Sequence, residues 1–165
     1  GVPVESTELF INVRQAAIPR IAEIAQAAQA MLAEVGLNVS VKIQESSIYN
    51  PEYGQKPGPD RNYITMHPIG NDFMDAASSF QTYATCDRGT SGICDKELDK
   101  MISEAARITG KERTAALQNI SGYIQDNAYM GFIGHLDLAY GISERVNWDV
   151  PLDHRFIVRQ MTLTD

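Results

Sequence analysis

The stretch from Glu8 to Gln44, ELFINVRQAAIPRIAEIAQAAQAMLAEVGLNVSVKIQ, decides the fold. Glu8 to Val13 is a short apolar run that reads as a buried strand. Ala16-Ala17-Ile18-Pro19 then turns the chain into a helix. Proline suits a first helical turn because its missing N–H would have no partner there. Ile21, Ile24, Ala28, Met31 or Leu32, and Val35 recur at spacings of three and four and make one apolar stripe. The rest of the helix is mostly alanine, glutamine and glutamate, good helix formers. Gly36 stands where a left-handed C-cap belongs. From Asn38 to Gln44, Val39, Val41 and Ile43 alternate with Ser40, Lys42 and Gln44, a strand with one face buried more than the other. Strand, helix, strand points to a βαβ unit with parallel strands and a right-handed crossover, and an antiparallel pair is the alternative.

Downstream, Ser46 to Asn62 holds Pro51, Gly54, Pro57, Gly58 and Pro59 and is expected to be a long exposed loop. Its Tyr49 and Tyr53 serve either as ligand contacts or as packing anchors. Tyr63 to Met66 reads as a third strand, running into His67-Pro68-Ile69-Gly70 and then Asn71-Asp72-Phe73-Met74-Asp75. Ligands of open α/β sheets bind beyond the carboxyl ends of the strands. Asp72 and Asp75 therefore stand where a ligand group would be met, although acids so spaced also serve as helix caps or solvated decoration. His67 either lines that site or caps the strand. Phe80 and Tyr83 follow at helical spacing and are expected to pack inward.

Cys86 and Cys94 bracket a Gly-containing loop of seven residues. A short disulfide pinning that loop is the first reading, and two free buried thiols the alternative. A bridge would imply an oxidising compartment. Asp95 suits the N-cap of a helix whose buried face is Leu98, Met101, Ile102 and Ala105. Thr109-Gly110-Lys111-Glu112 fits a capping box for a helix running to about Asn127, with Leu117, Ile120, Ile124 and Ala128 inward. Tyr129 to Ile142, apolar but broken by Gly131, Gly134 and Gly141, reads as one or two bent strands with His135 in the core. His154 is expected at the surface. A turn-rich segment with Trp148 and Pro151 precedes a final strand within Phe156 to Leu163.

Length and composition set the limits. One α/β domain is the expectation for 165 residues, 44% of them hydrophobic and 21% charged. A net charge of −7 argues against a nucleic-acid partner, whose phosphates require a basic face. No apolar run approaches the roughly 18 residues of a membrane span. Three histidines, His67, His135 and His154, share no metal-ligand spacing, so neither metal nor cofactor is expected.

The ordered set of motifs resembles the C-terminal half of the family 5 extracellular solute-binding proteins, the peptide-binding components of ABC importers. Gly36-Leu37-Asn38-Val39 is similar to the family's helix end before a strand. Asp72 and Asp75 stand in its "D..DP" position, with Ala76 in place of the proline. Cys86 and Cys94 resemble the cysteine pair of many peptide-binding members. Asp95-Lys96-Glu97-Leu98-Asp99 resembles "NPEVD", and Arg113 matches an arginine of the next helix. Trp148, Pro151 and Asp153 resemble the "W.P..D" ending of one subgroup.

The resemblance implies a periplasmic-binding-protein-like lobe (type II), a mixed sheet flanked by helices, as the C-terminal lobe of a longer two-lobed receptor. Residues 146–165 would pack against the other lobe, and an exposed apolar patch is expected on the cleft or hinge side. Asp75 aligns with the aspartate that pairs with a peptide's α-ammonium, with Asn71 and Asp72 flanking it. Ile69 stands near a position where the family often has tryptophan. The implied partners are a peptide or similar small zwitterion and the permease subunits, reached from a periplasmic or extracellular location. Relatives also take glutathione, nickel chelates, opines and sugars. A hydrolase is the competing class. Ser78 and Ser79 lie near Asp75 in sequence, yet no G-x-S-x-G turn is present. A sensory ligand-binding module on the same lobe is a further alternative.

Overall fold

The computed structural model describes residues 9–55, 62–71, 73–152 and 155–164. Asp72, Asp153, His154 and the part of the expected loop over 56–61 lie outside these residues. Their contacts divide the chain into two units, one of Gly1–Gly70 with Ser79–Lys100, the other of Asn71–Ser78 with Met101–Asp165.

The first unit is built on strands β1 (Leu9–Arg14), β2 (Val39–Gln44) and β3 (Tyr63–Met66), in the spatial order β2-β1-β3. Both pairings are parallel, with Leu9 opposite Val39, Arg14 opposite Gln44, Phe10 opposite Tyr63 and Val13 opposite Met66. Helix α1 (Ile21–Glu34) makes the crossover between β1 and β2. The expected βαβ unit is therefore present, and the sheet is wholly parallel rather than mixed.

Alternation sorts the two faces of this sheet. Leu9, Ile11, Val13, Val39, Val41 and Met66 pack with Ile18, Ile21, Ala25, Ala28 and Leu32. Ile11 and Val13 are almost fully buried, and each such side chain contributes about 1.5–3 kcal/mol. The helical stripe uses Leu32, while Met31 and Val35 are exposed. Gly36, at φ +83°, closes α1: its N–H donates to Ala33 O at 3.0 Å, and the Leu37 N–H donates to Leu32 O at 2.9 Å. These two bonds satisfy carbonyls that the helix end leaves open. The other face is polar and aromatic. Phe10 stacks on Tyr63 at 5.2 Å, and Lys42 Nζ lies 5.3 Å from the Phe10 ring centre. On β2 the expected inward Ile43 is exposed, and Gln44 is buried instead.

The expected loop over Ser46–Asn62 begins as a helix, α2 (Ser46–Tyr53), with Pro51 inside it. Proline removes one helical donor. Tertiary contacts offset that loss: Tyr49 is 1% exposed, and Gln44 Nε2 donates to Glu52 Oε2 at 3.0 Å.

Three more helices follow, α3 (Ala76–Tyr83), α4 (Lys96–Ala105) and α5 (Gly110–Asp126). Asp95 caps α4 by accepting the N–H groups of Glu97 and Leu98, and Leu98, Ile102 and Ala105 are buried as the periodicity indicates. Ile120 and Ile124 are the buried residues of α5, whereas Ala128 is exposed. Thr109 holds the N-cap position of α5 in extended backbone, but no side-chain hydrogen bond forms there, so the capping box is absent.

The second unit departs most from expectation. Tyr129–Ile142 contains no strand. Phe132, Ile133, Leu136, Leu138 and Ile142 are exposed, as is His135. An extended segment becomes a strand only when a partner satisfies its backbone groups, and among the described residues none is aligned with it. Trp148 is buried, edge-on to Tyr140 at 5.7 Å and 4.8 Å from Phe156 between ring centres. The expected last strand is a 3-10 turn at Val158–Gln160 followed by β5 (Thr162–Leu163), which pairs antiparallel with β4 (Val146–Asn147).

Candidate functional site

The turn leading into α3 is held together by Asn71. Its carbonyl accepts the Met74 N–H at 3.0 Å, and its side-chain Oδ1 accepts the Asp75 N–H at 2.8 Å. Met74 sits at φ +52°, a left-handed conformation that costs free energy for a non-glycine residue. The turn leaves Phe73 78% and Met74 61% exposed. Asn71 and Asp75 are thus brought together as the sequence suggested, with two large apolar side chains that sequence reasoning overlooked.

Asp75 is fixed from three directions. Its Oδ1 accepts the Ala77 N–H at 3.0 Å, capping the start of α3. The Ser78 hydroxyl donates to the Asp75 carbonyl at 2.9 Å. Arg113, from α5, donates through Nη2 to Oδ1 at 3.1 Å and Oδ2 at 2.8 Å. The Arg113 hydrogen bond, then that of Ala77, holds the Asp75 carboxyl below the usual carboxylate range, so it is ionised at neutral pH. A carboxylate has about four acceptor sites, and these contacts leave Oδ2 able to meet one more donor. Arg113 carried no functional role in the sequence reading, because nothing local links it to an acid so far upstream.

His67 and Ile69 belong to the first unit. Ile69 is 44% exposed. The His67 ring lies between Tyr53, stacked at 4.6 Å, and Tyr83, tilted at 5.7 Å, and Tyr49 extends the row 5.4 Å from Tyr53. Burial, then the nearby Arg14 charge, pushes the His67 pKa below its ordinary 6.5. The imidazole is therefore neutral at pH 7. The buried Tyr49 is a packing anchor, and Tyr83 packs against His67 as its spacing suggested.

Cys86 and Cys94 form the disulfide. Asp99 Oδ1 accepts the Cys86 N–H at 3.0 Å, and the Thr90 hydroxyl donates to Thr82 O at 2.7 Å, so the loop is tied to both helices beside it. Gly89 lies against the Gly54 carbonyl so closely that a Cβ would overlap it.

Among the described residues no group of His, Cys, Asp and Glu is arranged to hold a metal ion, and no helix is long and apolar enough to cross a membrane. Comparison with protein-family models, curated proteins and solved structures finds no match for this chain.

Proposed function

We propose that the chain is a ligand-binding lobe of a solute-binding protein that delivers a peptide or similar small zwitterion to an importer's permease. The α/β architecture of the described residues, with a small parallel sheet and five helices, is compatible with a periplasmic-binding-protein-like lobe. The Cys86–Cys94 disulfide fits an oxidising, periplasmic or extracellular compartment. One observation carries the reading: an ionised, immobilised Asp75 beside exposed Phe73 and Met74 on a strained turn. That turn offers a charge for an ammonium group and apolar surface for the body attached to it. Asn71 shapes the turn, and Asp72 flanks it in sequence. The Ser78 hydroxyl donates to the Asp75 backbone carbonyl and so helps to hold the turn.

Calorimetry with di- and tripeptides and their N-acetylated forms tests this, using the protein with its N-terminal lobe. Free-amine peptides should bind, and N-acetylation or Asp75→Asn should weaken binding at least tenfold. Equal binding of acetylated and free peptides would remove Asp75 as the ammonium anchor. Turnover of the peptides would replace the receptor with a hydrolase.

A further inference from the structure

The polar face of the parallel sheet carries a second cluster, which has no part in the Asn71–Asp75 turn. Alternation along β1 sends Asn12 and Arg14 to the face opposite Ile11 and Val13. The register sets Lys42 and Thr65 beside Asn12, and Gln44 beside Arg14. His67 follows Met66, the partner of Val13, and so falls on the other side of Arg14. Gln44, Arg14 and His67 thus form one row across the carboxyl ends of the three strands, with Asn12 one row behind. Arg14 and His67 are half-buried and reachable from solvent, while Asn12, 1% exposed, closes the floor.

Five buried polar atoms without a hydrogen bond gather here. They are Oδ1 and Nδ2 of Asn12, Nε of Arg14, Oε1 of Gln44 and Nδ1 of His67. Gln44 itself is only 5% exposed. Native proteins rarely leave such groups unmet, because a buried donor or acceptor without a partner loses its hydration and gains nothing. The Arg14 guanidinium has no ion-pair partner among the described residues. Glu52, the acid of the covering helix, is already engaged by Gln44 Nε2 at 3.0 Å and Lys42 Nζ at 4.0 Å.

The position adds weight. From β1 the chain passes through α1 to β2 on one side, and the next strand, β3, lies on the other side of β1. The carboxyl ends of β1 and β3 therefore flank the point where strand order reverses, where open α/β sheets take their ligands.

We propose that this row is a carboxylate-binding site, with the Arg14 guanidinium as the charge and Asn12, Gln44 and His67 as its hydrogen-bonding walls. A planar two-oxygen anion matches the guanidinium fork. One cation with neutral amides and a neutral imidazole balances one negative charge. A phosphate dianion would face Glu52, and Lys42, the other cation of this face, is already paired with that acid at 4.0 Å. The Tyr53 ring, stacked on His67, and the Tyr83 ring, tilted against it, give an apolar surface for the carbon attached to the carboxylate. The site requires neither Asp75 nor the second unit, so it stands or falls apart from the receptor reading.

Titration of the 15N-labelled full chain with sodium acetate, at ionic strength held constant with sodium chloride, tests the proposal. The Arg14 Nε–H and Asn12 side-chain amide resonances should shift saturably at roughly millimolar acetate, the range open to a ligand of four heavy atoms. Arg14→Met should abolish the shift, Arg14→Lys should weaken it at least tenfold, and Asp75→Asn should leave it unchanged. If Arg14→Met does not fold, Gln44→Leu supplies the second variant and should weaken acetate binding several-fold. Shifts no larger than those from chloride, or persistent water–amide cross-peaks at Asn12 undisturbed by acetate, would overturn the site in favour of internal hydration. Tighter binding of inorganic phosphate than of acetate would overturn the carboxylate assignment.

Discussion

Arg113, in the first turn of α5, closes on both carboxylate oxygens of Asp75 through a single nitrogen, across 38 residues of sequence. Asp75 is thereby an ion-pair partner and the cap of α3 at once. Its folded pKa lies below the unfolded value of 3.8. The contribution is therefore complete above that value and is lost as pH falls through the folded pKa. Arg113→Met should lower stability by about 0.5–1 kcal/mol at pH 7, small because the Asp75 side chain is 37% exposed and screened by solvent. The loss should fade as pH drops below the folded Asp75 pKa, and urea unfolding at pH 7 and at a pH below that midpoint measures it. An equal loss at both would mean that Arg113 acts through packing alone.

His67 supplies a second pH dependence with the same sign. Burial and the Arg14 charge lower its folded pKa from 6.5, with Tyr53 and Tyr83 against its ring. Stability should be full above pH 6.5 and should decline as pH falls through the folded value, as the neutral ring is forced to charge. A ring-proton NMR titration should place the His67 midpoint below 6.5. Arg14→Met should raise that midpoint only part of the way, because burial is the larger cause. A midpoint unmoved by the substitution would show that the Arg14 charge does not reach the ring.

Gly89 and Gly92 make a matched pair within the disulfide loop. A Cβ at Gly89 would overlap the Gly54 carbonyl, whereas one at Gly92 meets nothing within 4 Å. Gly89→Ala should cost about 1–3 kcal/mol by forcing the loop off the end of α2. Gly92→Ala should be near neutral in the same thermal unfolding experiment. Equal behaviour of the two would mean that the loop does not dock on Gly54.

Opening the Cys86–Cys94 bridge relaxes a short loop only. Cys86→Ser with Cys94→Ser should destabilise by about 2–3 kcal/mol, the chain-entropy value for a closed loop of this size. Chemical denaturation of the oxidised, reduced and doubly substituted chains should place the last two together. A reduced chain as stable as the oxidised one would show that the Asp99 and Thr90 hydrogen bonds hold the loop without the bridge.

The sequence by itself determined the elements whose signals are local. The periodicity of Ile21 to Leu32, the glycine at 36 and the alternation of Val39 and Val41 specify α1 and β2, since each residue acts on neighbours within one turn or one pleat. The Asp95 cap and the buried face of α4 were legible for the same reason. Tertiary structure decided the rest. Pro51 reads as a helix breaker, but burial of Tyr49 outweighs the one lost backbone bond. Tyr129–Ile142 has strand-like composition, yet composition cannot provide the pairing partner that makes a strand. Of the candidate site, the Asn71–Asp75 turn could be read locally, whereas Arg113 on Asp75 and the row of Gln44, Arg14 and His67 could not. Those contacts join residues far apart in the chain, and only the packing of strands and helices selects which distant side chains share a face.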